Sequence, residues 1–180
     1  TSATYGRKVE ILKNNIFGVD LDPKAVEIAQ LNLLLKAAEK KHRLPTLQEN
    51  IKVGNSLIDD PTVAGDKAFK WEEQFKDIIQ YDEKGNLKEG YGFDVVIGNP
   101  PYVNVYLLSK NQEGMQFYQS NLISAYKKFD LYVLFIEKAI NLMNNKGFFS
   151  FIVPDKFLSQ PYGQKLREFI LNKCKIVKIV

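Results

Sequence analysis

The stretch Phe93-Asp94-Val95-Val96-Ile97-Gly98-Asn99-Pro100-Pro101-Tyr102-Val103 constrains this chain more than any other. Val95-Val96-Ile97 is β-branched and has no polar face, the pattern of a strand buried on both sides of a parallel sheet. Two prolines then end it. Neither Pro100 nor Pro101 has an N–H for a ladder, each holds φ at about −65°, and Pro101 pushes Pro100 into extended backbone. In an open α/β sheet, ligands bind beyond the carboxyl ends of strands. The corner therefore presents an amide side chain, backbone carbonyls and an aromatic ring where a ligand is expected, a set suited to something flat.

The rest of the chain alternates. Residues 1–15 read as the last turns of an amphipathic helix, Ile16–Asp20 as a short buried strand, and Asp22-Pro23 as a helix start with aspartate at the N-cap and proline at the first helical position. That helix is predicted to run to about Lys41, with Val26, Ile28, Leu31, Leu34, Leu35 and Ala38 on its apolar face and a loop at Arg43-Leu44-Pro45. Ile51–Val53 is a second strand, ending at Gly54-Asn55-Ser56. Residues 59–92 interrupt the pattern with Pro61, Gly65, Gly85, Gly90 and Gly92, and are expected to be a loop-rich insertion that packs through Trp71 and Phe75. Residues 102–129, with Tyr106, Tyr118, Tyr126, Lys110, Lys127 and Lys128, carry no regular element; loops of this length are functional or mobile. Asp130 is placed to cap a helix reaching about Asn144 and ended by Lys146-Gly147. Phe148–Val153 is a buried strand halted at Pro154, Gln164–Lys173 a helix, and Ile176–Val180 a last strand. The alternation predicts an α/β fold with a doubly wound, mostly parallel sheet.

At 180 residues, 45% hydrophobic and 26% charged, the chain has the composition of one soluble domain with a substantial core. No apolar run approaches the roughly 20 residues of a membrane span and no signal peptide pattern opens the chain, so a cytoplasmic location and no membrane partner are expected. A single cysteine, Cys174, excludes an internal disulfide and reads as a buried small hydrophobe. A single histidine, His42, leaves no His/Cys set for zinc, and no metal is expected. Pro154-Asp155-Lys156 has the letters of a metal-nuclease motif without its acidic spacing, and reads as a loop. The net charge of +4 permits a polyanionic partner without requiring one.

Chemistry-bearing residues gather at strand ends. Asp20 is placed to accept from a cis-diol such as the two hydroxyls of a ribose; alternatively, Asp20 and Asp22 cap the helix that follows. Asn55 suits a heterocycle edge, and Gly54-Asn55 equally suits a turn. At the corner, the Asn99 side-chain oxygen and the Pro100 carbonyl can together accept both hydrogens of an exocyclic amine while the ring stacks on Tyr102. Two acceptors so placed draw the nitrogen lone pair out of ring conjugation and free it to attack an electrophile.

Ile97-Gly98-Asn99-Pro100-Pro101-Tyr102, with Phe17-Gly18-Val19-Asp20-Leu21-Asp22-Pro23 and Gly54-Asn55-Ser56-Leu57 before it, resembles the S-adenosylmethionine-dependent DNA adenine-N6 methyltransferases. Within these it is most similar to type II restriction–modification enzymes that join modification and cleavage in one chain. Asp130–Ala139 and Phe151–Leu158 extend the likeness, which covers nearly everything from Ile16 onward. The resemblance implies a Rossmann-like methyltransferase fold and assigns Asn99, Pro100, Pro101 and Tyr102 to catalysis. It assigns Asp20, Leu21, Asn55, Ser56 and Phe135 to S-adenosylmethionine; Phe135 also reads as an ordinary core position on a helix stripe. The partner it implies is double-stranded DNA with the target adenine flipped onto Tyr102.

The family's glycine-rich turn and the central strand before it have no counterpart in this chain. The expectation is one partial catalytic domain over residues 1–180, lacking also a target-recognition domain, poor in cofactor binding by itself and prone to association through unpaired strand edges. Two other readings stay open. One keeps methyl transfer and moves it to a glutamine amide in protein or a guanine amine in RNA. The other is a catalytically silent scaffold that binds DNA or a partner through the basic, tyrosine-bearing loop 102–128.

Overall fold

The computed structural model describes residues 2–38, 45–105 and 112–180. They divide into two compact units, Thr1–Phe69 and Lys70–Val180, with the boundary inside the expected insertion. Each unit is mixed α/β and is built on one parallel strand pair. The expected single sheet is thus present as two two-stranded sheets.

In the first unit, helix α1 (Ser2–Asn15) leads to strand β1 (Gly18–Asp20), helix α2 (Pro23–Ala37), strand β2 (Ile51–Val53) and the short helix α3 (Pro61–Ala64). Asp22 caps α2 through its side chain on the Lys24 N–H, with proline next to it, as the dipeptide dictates. The helix ends at Ala37, short of the expected Lys41, because Ala38 turns to extended backbone at its C-cap; His42 and the Arg43-Leu44 part of the loop lie outside the described residues. β1 and β2 pair in parallel, Gly18 with Ile51 and Asp20 with Val53. Val9, Leu12, Leu33, Leu34, Ala37 and Leu47 pack together as a core. The apolar face predicted for α2 divides: Val26 is buried, whereas Ile28, Leu31 and Leu35 are exposed. α2 is apolar on more than one side, and only the side bearing Val26, Leu33, Leu34 and Ala37 meets this core. Asn50 is buried and donates through Nδ2 to the carbonyls of Lys13 at 2.7 Å and Ile16 at 3.0 Å, satisfying acceptors left open at the end of α1.

In the second unit come helix α4 (Trp71–Gln74), strand β3 (Phe93–Gly98), helix α5 (Gln112–Asn121), helix α6 (Leu131–Leu142), strand β4 (Met143–Phe151), helix α7 (Lys156–Ser159) and helix α8 (Gln164–Lys173). Trp71 and Phe75 pack on Phe93 with ring centroids 6.0 and 6.2 Å apart, as the insertion was expected to do. β3 and β4 pair in parallel from Val95–Phe148 to Gly98–Phe151, with a shift after Phe93–Met143. α6 is buried almost all round and packs on β4 and α8.

Five expectations change here. β3 is not buried on both faces: Val95 is 61% and Ile97 77% exposed, and Phe148 on β4 and Ile152 just after it are exposed as well. One side of this pair is covered within the unit and the other is open. Lys146-Gly147 does not end α6, which stops at Leu142, but lies inside β4 where the register slips. Ile176–Val180 forms no strand, pairs with neither sheet and is exposed. Residues 102–129 do contain an element, α5, whose inward positions Gly114, Phe117 and Tyr118 recur at helical spacing. Cys174 is half-buried rather than buried and follows α8 as its C-cap; burial pushes its thiol up from the ordinary value. No helix among the described residues is long and apolar enough to cross a membrane.

Candidate active site

β3 ends at Gly98, and the corner is built from that end. The ladder continues one step further, with the Ile152 N–H donating to the Gly98 carbonyl at 3.2 Å. Pro100 is buried and holds the turn against the unit, while Asn99, Pro101 and Tyr102 are exposed. The Tyr102 hydroxyl lies 2.6 Å from Asn99 Oδ1 and 2.7 Å from the Ile152 carbonyl oxygen. It has one proton for two acceptors. Asn99 Oδ1 is a carbonyl oxygen with two lone pairs, so at least one remains for an incoming donor. Among the described residues the Pro100 carbonyl accepts no backbone hydrogen bond. The Tyr102 ring is 50% exposed and meets Tyr132 edge to face at 6.2 Å and 86°. The geometry is an aromatic plate bolted at its hydroxyl end to the ends of two neighbouring strands, beside two oxygen acceptors.

In the first unit, Asp20 is the last residue of β1 and is exposed. Its Oδ1 accepts from the Asp22 N–H at 2.8 Å, so both readings of this carboxylate meet in one group: one oxygen shapes the turn into α2, and the bond accounts for that oxygen alone. Leu21 follows, 56% exposed. β2 lies directly beside, the Gly54 N–H donating to the Asp20 carbonyl at 2.9 Å. Gly54 is required there, since a Cβ at this position would run into the Phe69 ring. Asn55 Oδ1 accepts from the Leu57 N–H at 3.0 Å, the turn bond expected of a Gly-Asn pair. Its amide N–H groups are what it has to offer a ligand. Ser56 is half-buried next to it. Asp20, Leu21, Asn55 and Ser56 thus lie at the carboxyl ends of neighbouring parallel strands. Phe135 is in the second unit, half-buried on α6.

Several partners of the corner are not visible as sequence spacing. The Ile152 carbonyl and the Tyr132 ring come from 50 and 30 residues away, and they are brought to the corner by the pairing of β3 with β4 and by α6. In the basic loop, Lys127 adopts φ of 58° and places Nζ 5.0 Å from the Tyr126 ring centroid; Tyr106 and Lys110 lie outside the described residues. Asp155 begins the short helix α7, and among the described residues no three His, Cys, Asp or Glu side chains gather as a metal would require.

Comparison with known proteins places these residues in context. A family model described as Eco57I restriction-modification methylase matches residues 14–180. The chain is 36% identical over 183 residues to the type II restriction enzyme and methyltransferase RM.Eco57I of Escherichia coli, covering 96% of this chain and 17% of that protein. It is 38% identical over 104 residues to the type II methyltransferase M.BstVI of Geobacillus stearothermophilus, covering 58% of this chain and 18% of that one. To the adenine-specific methyltransferase PglX of Streptomyces coelicolor it is 26% identical over 188 residues, covering 90% and 15%. The chain therefore spans less than a fifth of the length of each of these relatives.

Proposed function

The chain belongs to the Eco57I restriction-modification methylase family, and on that premise we propose that the protein carrying it methylates adenine N6 in double-stranded DNA, with S-adenosylmethionine as donor. The observation that carries this reading is the acceptor pair at the end of β3: Asn99 Oδ1 and the Pro100 carbonyl beside the half-exposed Tyr102 ring. The protein acts in the cytoplasm as part of a restriction–modification system. The two units are parts of one Rossmann-like methyltransferase fold.

The residues at the ends of β1 and β2 fit the cofactor by their chemistry. Asp20 offers a carboxylate oxygen for ribose hydroxyls, Leu21 an exposed apolar side chain for a ring face, and Asn55 amide N–H groups for ring-nitrogen acceptors, with Ser56 beside it. The family resemblance further assigns Phe135, an aromatic ring on α6 of the second unit, to the cofactor. When bound, S-adenosylmethionine supplies an electrophilic sulfonium methyl group.

The corner does the remaining work on the substrate. An adenine rotated out of the duplex stacks on Tyr102, where its ring regains part of the stacking lost from the helix. Asn99 Oδ1 and the Pro100 oxygen each accept one N6 hydrogen. In that arrangement the N6 lone pair turns out of conjugation and becomes nucleophilic, and the two oxygens stabilise positive charge as it develops on N6. No covalent enzyme intermediate is required.

The test is to incubate the full-length protein with unmethylated duplex DNA and S-adenosylmethionine and to analyse the nucleosides by mass spectrometry. N6-methyladenine is the expected product. DNA left without N6-methyladenine would overturn the proposal, and methylation of a glutamine-bearing protein or of RNA offered in parallel would identify the alternative.

A further inference from the structure

Behind the corner, within the same unit, four polar groups are joined in a line that the chemistry above does not use. Asp130 holds the N-cap position of α6, yet its carboxylate makes no cap bond. Instead Oδ1 accepts from Asn104 Nδ2 at 3.0 Å and Oδ2 from the Tyr162 hydroxyl at 3.0 Å. The expectation that Asp130 caps this helix is thereby corrected: it ties together a residue three positions after Pro101, the start of α6, and the turn before α8. The Tyr162 and Tyr132 hydroxyl oxygens lie 2.9 Å apart. A carboxylate only accepts, so the single Tyr162 proton goes to Asp130, and the Tyr132 hydroxyl must be the donor to Tyr162.

Tyr132 is fully buried. Its ring makes edge-to-face contacts with Tyr102 at 6.2 Å and with Phe157 at 6.2 Å and 75°. A buried tyrosine whose hydroxyl is fixed at one end and whose ring is packed at the other has little freedom to tilt. Tyr102, held at its own hydroxyl by Asn99 and Ile152, rests against that ring.

We propose that Asp130, Tyr162 and Tyr132 are positioning residues that hold the Tyr102 ring in the plane on which the target base stacks. The proposal rests on the reading of Asn99–Tyr102 as the target-amine site. Burial pushes both the Tyr132 and Tyr162 hydroxyls above the ordinary tyrosine value, so the line keeps its protons at any working pH.

The test uses the full-length protein and the variants Tyr162→Phe, Tyr132→Phe, their combination, and Asp130→Asn. Each removes a link while retaining the ring or the side-chain volume. Misplacing the stacking plane should lower kcat by about tenfold while KM for DNA and for cofactor stays within about twofold, because the loss lies in near-attack geometry. Since both phenylalanine changes cut the same line, the double variant should be no slower than the slower single one. If Tyr132→Phe fails to fold, the cycle is run with Tyr162→Phe and Asp130→Asn, whose side chains are only half-buried. Variants with wild-type kcat overturn the brace, as do losses that add in the double variant and follow its melting temperature. A wild-type protein that leaves adenine unmodified overturns the reading of the corner and, with it, the purpose of the brace; a fully active wild type with unaffected variants overturns the brace alone.

Discussion

Glu137 is a buried charged group of the second unit, and its replacement by glutamine gives a measurable consequence. It lies on α6, 2% exposed, and its two oxygens accept from the Ile123 N–H at 3.0 Å and the Ser124 N–H at 2.7 Å. Ser124 is itself buried, and its hydroxyl donates to the Val133 carbonyl at 3.3 Å. The carboxylate thus fixes the turn between α5 and the approach to Asp130. Glutamine has one acceptor oxygen and must point its NH2 at one of the two amides. A hydrogen bond to a charged group contributes about 1.5–3 kcal/mol net, and an unsatisfied buried N–H costs about 1–3 kcal/mol. With one weaker bond retained, Glu137→Gln should cost about 2–4 kcal/mol, a large part of a total stability of about 5–15 kcal/mol. At about 2–4 °C per kcal/mol for a chain of this size, thermal unfolding followed by circular dichroism should show a midpoint lowered by roughly 5–15 °C. Glu137→Leu should lower it further, because both amides are then orphaned. A Glu137→Gln protein melting within about 2 °C of wild type would refute the reasoning, since the turn would then not depend on the carboxylate.

Other perturbations are equally direct. Asn50→Asp replaces the Nδ2 donor with an acceptor facing the Lys13 and Ile16 carbonyls, and should cost about 2–3 kcal/mol, read as a lower urea midpoint at unchanged slope. Gly54→Ala drives a methyl into the Phe69 ring and should cost about 1–3 kcal/mol, with part of the loss recovered in a Gly54→Ala, Phe69→Leu double variant. The raised Tyr162 and Tyr132 hydroxyls link stability to alkaline pH. In the unfolded chain these phenols lose their protons near the ordinary value of about 10, while the folded chain keeps them, so their contribution is complete below that pH and declines as pH rises above it. Alkaline unfolding should therefore be less steep in Tyr162→Phe than in wild type; identical profiles would count against the link.

What the sequence shows of this protein is largely what short-range chemistry controls. Asp22-Pro23 starts α2 where N-cap preference and proline geometry demand, and the β-branched run before Pro100-Pro101 is the strand that carries the corner. The Trp71 and Phe75 anchor of the insertion is also visible, since large aromatics in a polar stretch have little else to do. Periodicity misleads where two faces of an element are apolar. In α2 it cannot decide between the side with Leu33 and Ala37 and the side with Ile28 and Leu31, and in β3 an unbroken apolar run does not reveal that Val95 and Ile97 are exposed. Partners remote in sequence are beyond its reach altogether. Asn50 serves carbonyls 34 to 38 residues away, and Asp130, whose position reads as a cap, spends its carboxylate on Asn104 and Tyr162. At the corner, Asn99 and Tyr102 are legible as chemistry, but the bond that joins them to each other and to Ile152 is a property of the folded strand ends.

The central claim is that the Asn99 side-chain oxygen acts on the amine to be methylated. Single-turnover methyl transfer by full-length Asn99→Ala, measured at saturating DNA and S-adenosylmethionine alongside the DNA dissociation constant, tests it most directly. Removing a preorganised acceptor that works in the transition state should slow the chemical step by about 10²–10³-fold, with DNA affinity changed by less than about threefold because base stacking and backbone contacts persist. An Asn99→Ala enzyme that transfers methyl groups within about fivefold of the wild-type rate would contradict the account, for an oxygen worth less than about 1 kcal/mol in the barrier cannot be what activates the amine.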